Sequence, residues 1–221
     1  MPRFSKRAIL AELARLYPDA KPELNFTNPY ETLVATMLSA QCTDKQVNKV
    51  TPAVFAAYPN AQAMAECTPE ELFPMVKSCG FKSKAENIVN ACRLLVSRHG
   101  GEVPKTMEEL TNLPGVGRKT ANVVMANAFG TPAIAVDTHV FRVSNRLGLA
   151  EAKTVEETER QLQKAIPKKD WRDAHHWLIY HGRRVCKAQR PLCAECTLKD
   201  QCKYYKQGAQ SMKKSAVEAN G

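Results

Sequence analysis

The chain has 221 residues, 44% of them hydrophobic, enough to bury one large core or two small ones, and its 32 Lys and Arg against 22 Asp and Glu give a formal charge of +10. Such an excess points to a polyanionic partner, since each phosphate neutralised releases condensed counterions; the alternative it leaves open is a merely basic soluble protein. Met1 to Arg7 lacks the apolar core of a signal peptide and no window reaches 18 uninterrupted apolar residues, so secreted and membrane-spanning classes are excluded, a cytoplasmic protein is expected, and the eight cysteines are read as buried singles or metal ligands rather than a disulfide framework.

Residues 7–17 set Ile9, Leu10, Leu13, Leu16 and Tyr17 on one helical face before Pro18 and Pro22 stop the pattern. Glu31 to Ala40 reads as a second helix with Leu33, Val34, Met37 and Leu38 at core spacing. Thr43, with Gln46 three residues on, has the form of a capping box, so a third helix is expected to Tyr58 and Ala40 to Cys42 becomes an interhelical corner. Thr68 to Val76 and Lys82 to Arg98 repeat the pattern, punctuated by Gly80, Gly100 and Gly101. Further helices are predicted at Thr138 to Leu147, Thr154 to Ala165 and Trp171 to Val185, and Ser211 to Gly221 has too little to bury and is read as a disordered tail. Only Ala133 to Val136 resembles a strand, so the fold class is all-α.

The stretch between the two halves is more specific. A helical pattern over Met107 to Thr111 runs into Leu113-Pro114-Gly115-Val116-Gly117, and a second runs from Arg118 to Phe129, giving helix, tight hairpin, helix. Two glycines one residue apart permit positive φ and a close backbone approach, and the N–H groups that follow open a helix N-terminus, a corner suited to an anion such as phosphate. A plain αα-hairpin is the alternative.

Near the C-terminus Cys186, Cys193, Cys196 and Cys202 are separated by six, two and five residues. Four thiolates suit either a tetrahedral zinc ion or a 4Fe-4S cluster, and generic chemistry does not choose. Cys42, Cys67, Cys79 and Cys92 are dispersed and read as small buried residues. His175, His176 and His181 show no ligand spacing.

Taken together, Leu113 to Ala121, Val136-Asp137-Thr138-His139-Val140 and the cysteine spacing resemble the endonuclease III family of DNA repair glycosylases, over residues 20–205. The resemblance implies that Gly115, Val116, Gly117, Arg118 and Thr120 grip the DNA backbone, that Lys119 is the nucleophile of the bifunctional members, that Asp137 is the essential carboxylate, and that the four cysteines hold a 4Fe-4S cluster. It implies two further DNA contacts: Gln41, in Leu38-Ser39-Ala40-Gln41, plugs the space left by an extruded nucleotide, and Phe81, after Gly80, wedges the opposite strand. A core aromatic is the alternative for Phe81. Lys82, Lys84, Lys187 and Arg190 are expected on phosphates, and His139 and Arg142 are placed to line the pocket.

The implied fold is two helical lobes flanking a DNA-binding cleft: a six-helix domain over 22–132 with the hairpin at about 107–129, a cluster domain formed by 1–21 with 133–211, and a tail over 212–221. Asp137 lies 18 positions beyond Lys119. A helix of about 12 residues advances ~18 Å and an extended return of about eight residues spans ~26 Å, so the return can bring Asp137 back beside the hairpin, both side chains facing one cleft. The implied activity is base excision: a monomer removing oxidised pyrimidines from damaged double-stranded DNA and cutting abasic sites by β-elimination through a Lys119 Schiff base. Two competing readings are an adenine glycosylase of the same superfamily, disfavoured by Lys119 and by the short segment after the cysteines, and a non-enzymatic DNA-binding module with a structural metal.

Overall fold

The computed structural model describes residues 5–208. Among them are no strand and twelve α-helical runs; the last, 203–208, reaches the end of the described residues, and the other eleven are α1 (Lys6–Leu16), α2 (Pro29–Leu38), α3 (Asp44–Ala57), α4 (Ala61–Glu66), α5 (Pro69–Val76), α6 (Lys82–His99), α7 (Met107–Thr111), α8 (Arg118–Ala128), α9 (Thr138–Leu147), α10 (Val155–Ala165) and α11 (Trp171–Arg184). The fold is therefore all-α, as expected. None of the described helices is long and apolar enough to cross a membrane. The tail expected over 212–221 lies outside the described residues.

The chain divides into two compact units, Pro22–Ala133 and a second composed of Met1–Lys21 with Ile134–Gly221. In the first, α2 is the central helix. Asn28 caps it by accepting the Glu31 N–H, Pro29 supplies a first-turn residue that needs no donor, and Tyr30 and all positions from Thr32 to Leu38 are buried. Those side chains pack on α3, α6 and α8, and α6 contributes Ala85, Ile88, Val89, Cys92 and Leu95 to the same core. The short α4, which the periodicity did not reveal, is capped by Asn60 and buries only Ala61 and Met64; six residues are too few for a 3.6-residue pattern to show.

The second unit is built by helices from both ends of the chain. Ile9, Leu10 and Leu13 of α1, with Tyr17 just beyond it, share a core with Val140, Val143 and Leu147 of α9 and Ala174 and Leu178 of α11. Ala133 to Val136 is extended and buried, consistent with an uninterrupted apolar run, but no neighbouring strand pairs with it. His175 Nδ1 instead lies 2.8 Å from the Ala135 carbonyl oxygen.

The hairpin between α7 and α8 is anchored from below. Leu113 and Val116 are buried, the Val116 N–H donates to the Leu113 carbonyl at 3.1 Å, and the corner turns at Gly115 with φ of 74°. A Cβ placed on Gly115 would come within 2.8 Å of Asn87 Cβ on α6. Glycine is thus required here both for the left-handed backbone and for the close approach to α6. Gly115→Ala is expected to destabilise the protein by about 2–3 kcal/mol, read as a lower denaturant midpoint with an unchanged m-value.

Candidate active site and cysteine recess

Eight helices, α1–α5, α7, α9 and α10, begin with a Ser, Thr, Asn or Asp side chain that accepts a first-turn N–H. Three do not: α6, which starts after Phe81, α8, which starts after Gly117, and α11, which continues a 3₁₀ turn over Lys168–Asp170. Two of these uncapped N-termini carry residues expected on DNA. On α8, Arg118 and Lys119 are exposed in the first turn and Thr120 is half-buried. Val116, expected as a contact, is 5% exposed and its N–H is used inside the turn, so it serves the hairpin as an anchor.

Phe81 is 79% exposed, which removes the core-aromatic alternative. Gln41 is exposed and held at φ of 56°, a left-handed conformation that side-chain-bearing residues seldom adopt and that concentrates at functional positions. One cation joins these two loops. Lys84 Nζ donates to the carbonyl oxygens of Leu38 at 2.9 Å and Ala40 at 2.7 Å, and also to that of Cys79. Gly80 leaves the room, since a Cβ there would meet Lys84 Nζ at 3.0 Å. Lys84 is therefore an internal clamp and not the exposed phosphate ligand expected of it, because one ammonium can satisfy two carbonyls at the end of α2 and the corner after it and a third in the turn before Gly80. A second tie runs from Gln46 Nε2 to Ser78 Oγ at 2.8 Å, so Gln46 does not close the capping box on Thr43. Lys82 forms an exposed ion pair with Glu70 at 2.8 Å.

Asp137 is the N-cap of α9, with Oδ1 accepting the Val140 N–H at 2.7 Å. Beside it, His139 Nδ1 lies 3.1 Å from Arg142, and burial pushes the imidazole below its usual range, against the opposing pull of Asp137. Arg142, expected in the pocket, is committed to main-chain carbonyls: Cys186 at 3.1 Å, Gly182 at 3.0 Å and Thr138 at 3.3 Å. Arg146 does the same one turn on, donating to Lys187 O at 2.7 Å and Ala188 O at 3.1 Å. The loop carrying exposed Lys187 and Arg190 is held by those bonds.

Cys186, Cys193, Cys196 and Cys202 line one recess, together with Leu147, His181 and Tyr204. Among the described residues no three Cys, His, Asp or Glu are arranged to hold a single metal ion. Four thiol side chains on one recess are a donor set suited to a 4Fe-4S cluster or, after rearrangement, to a tetrahedral zinc ion. Main-chain N–H groups of Leu198 face the Cys196 sulfur and those of Tyr204 and Tyr205 face Cys202, opposing the rise that burial and the neighbouring cysteines impose on both thiols. Arg146 lies 3.6 Å from Cys186 Sγ. His181, set aside for want of ligand spacing, lies 3.7 Å from Cys196 Sγ. The sequence carries no signal for this contact, because it joins residues 15 positions apart through the fold.

The remaining comparison is with known proteins. Residues 34–168 match the HhH-GPD superfamily of base excision DNA repair proteins. The chain is 53% identical over 196 residues to an endonuclease III of Synechocystis sp., spanning 88% of this chain and 90% of that one. It is 47% identical over 205 residues to the endonuclease III of Escherichia coli K12, spanning 92% and 97%. A solved trapped endonuclease III–DNA covalent intermediate, an estranged-adenine complex, superposes with a TM-score of 0.87 at 47% identity, covering 94% of this chain and all of that one (100%).

Lys84→Met leaves three carbonyls without their cation and is expected to cost about 1–3 kcal/mol in equilibrium unfolding. Lys82→Met, which removes only a solvent-exposed pair, should leave the unfolding midpoint unchanged.

Proposed function

The chain belongs to the endonuclease III family of the HhH-GPD superfamily of base excision DNA repair proteins, and on that premise we infer that it removes oxidised pyrimidines such as thymine glycol from double-stranded DNA and cuts the strand 3′ to the abasic site. The observation that carries the reading is Lys119: an exposed amine in the first turn of a helix with no side-chain cap, in a glycine corner rigid enough to present it.

Rupture of an N-glycosidic bond builds positive charge on the sugar, which the Asp137 carboxylate stabilises, while the neutral Lys119 amine attacks the anomeric carbon and the damaged base departs. The sugar ring opens to a Schiff base on Lys119. Loss of the proton next to that imine expels the 3′ phosphate by β-elimination, and water releases the lysine. Lys119 and Asp137 belong to different units of the chain, and the mechanism requires that their side chains converge on the extruded nucleotide.

Around that step Gly115, Gly117, Arg118 and Thr120 hold the phosphate backbone through helix N-terminal N–H groups and charge. Val116 and Lys84 support those loops from beneath. Gln41 fills the space the nucleotide leaves, Phe81 wedges the other strand, and Lys82, Lys187 and Arg190 add phosphate contacts. Cys186, Cys193, Cys196 and Cys202 would hold a 4Fe-4S cluster, which would tie both ends of the Lys187 to Leu192 loop and supply one-electron redox chemistry. The protein acts as a monomer in the cytoplasm.

The test is incubation with duplexes holding thymine glycol, an abasic site or 8-oxoguanine, with and without borohydride. The wild-type protein should cut the first two and form a reducible adduct. Lys119→Ala should form none; an adduct that survives this change removes the lysine from its role. Asp137→Asn keeps an equally good helix cap while removing the charge, so it should fold normally and lose about 10²-fold or more in base removal. Uncut thymine glycol with fully folded protein would sink the reading.

A further inference from the structure

Behind the cysteine recess three residues distant in sequence are joined end to end. Tyr17, the residue that ends α1, is 6% exposed, and its hydroxyl lies 3.0 Å from His181 Nδ1. His181, on α11, is 1% exposed, and its Nε2 lies 3.7 Å from Cys196 Sγ. The rings meet edge to face at 6.0 Å between centroids, and the Arg184 guanidinium lies 5.8 Å from the Tyr17 ring centroid.

The chemistry of the three groups fixes where the protons are. A cysteine bound to iron is a thiolate with no proton to give, so its contact with His181 is a hydrogen bond only when Nε2 carries the hydrogen. A neutral imidazole has one N–H, which leaves Nδ1 as an acceptor, and the Tyr17 O–H is the donor placed to meet it. Burial favours the neutral phenol, pushing Tyr17 up to about 12. Every group in the chain then has the partner it needs, and with a neutral imidazole no other assignment of protons satisfies all three.

We propose that Tyr17 and His181 are positioning residues for Cys196, forming a relay from phenol to imidazole to thiolate that fixes the imidazole tautomer, withdraws electron density from that sulfur, raises the cluster's reduction potential and slows loss of its iron. Hydrogen bonds to cluster sulfurs are a recognised lever on potential, and partners behind a metal ligand contribute about 10–100-fold to metal retention. The relay also gives the N-terminal helix a use beyond packing, since α1 delivers the phenol to a ligand set nearly 180 residues later in the chain. Arg146 makes the corresponding side-chain contact at Cys186. The proposal rests on the cluster reading above.

The experiment compares the holoproteins of the wild type, Tyr17→Phe, His181→Gln and His181→Leu. The readouts are iron and sulfide content, the rate of iron release to a chelator, the reduction potential by direct electrochemistry, and the melting curve. Tyr17→Phe keeps the ring and its packing and should release iron about tenfold faster, with a lowered potential and near-normal melting. His181→Leu should do so more strongly, and His181→Gln, which retains an amide N–H, should recover part of both effects. A Tyr17→Phe protein with full iron, wild-type release and wild-type potential overturns the relay while the cluster stands. Wild-type protein purified without iron and sulfide overturns the cluster reading, and the relay with it.

Discussion

The constraint that organises this chain is that the polar backbone groups at helix ends must find partners. With twelve α-helical runs in 204 described residues, unsatisfied N–H and carbonyl groups recur at short intervals. The N–H side is met by short polar caps at eight helices. The carbonyl side is met by cations: Lys84 at the end of α2, Arg93 on Ala65 and Cys67, and Arg142 and Arg146 on the loops that reach the cysteines. Part of the formal charge of +10 is therefore structural.

This division explains what was legible. Caps and apolar spacing are local, so Thr68, Thr106, Asp137 and Thr154 announce helices whose bounds lie within a residue or two of those expected. The hairpin is equally local, because Gly115 and Gly117 leave few backbone choices. The carbonyl clamps are not local. Lys84 reaches Leu38 across 46 positions and Arg142 reaches Cys186 across 44, so from sequence Lys84 reads as a phosphate contact and Arg142 as a pocket-lining residue, when both are held by main-chain carbonyls. Tyr17 and His181, 164 positions apart, fail for the same reason.

The eight cysteines sort by surroundings rather than by count. Burial pushes the Cys92 thiol up to about 12, and burial together with the neighbouring Cys42 pushes Cys79 up to about 11, so neither offers a thiolate near neutral pH. Cys196 and Cys202 are also pushed up by burial, with main-chain N–H groups facing their sulfurs in partial opposition. The same residue type thus packs a core in one unit and lines a recess in the other.

Lys119 and Asp137 show the same helix-end physics used in opposite ways. At α9 the chain supplies its own anion: Asp137 sits at the N-terminus, one carboxylate oxygen fixed by the Val140 N–H. That bond sets the direction of the carboxylate. At α8 the cap is Gly117, which has no side chain to offer, so the anion for that helix end must come from outside. A phosphate in that position would complete the cap, and Lys119 lies exposed in the same first turn. On the proposed reading, one missing cap would serve both to bind the backbone of DNA and to place the amine beside it.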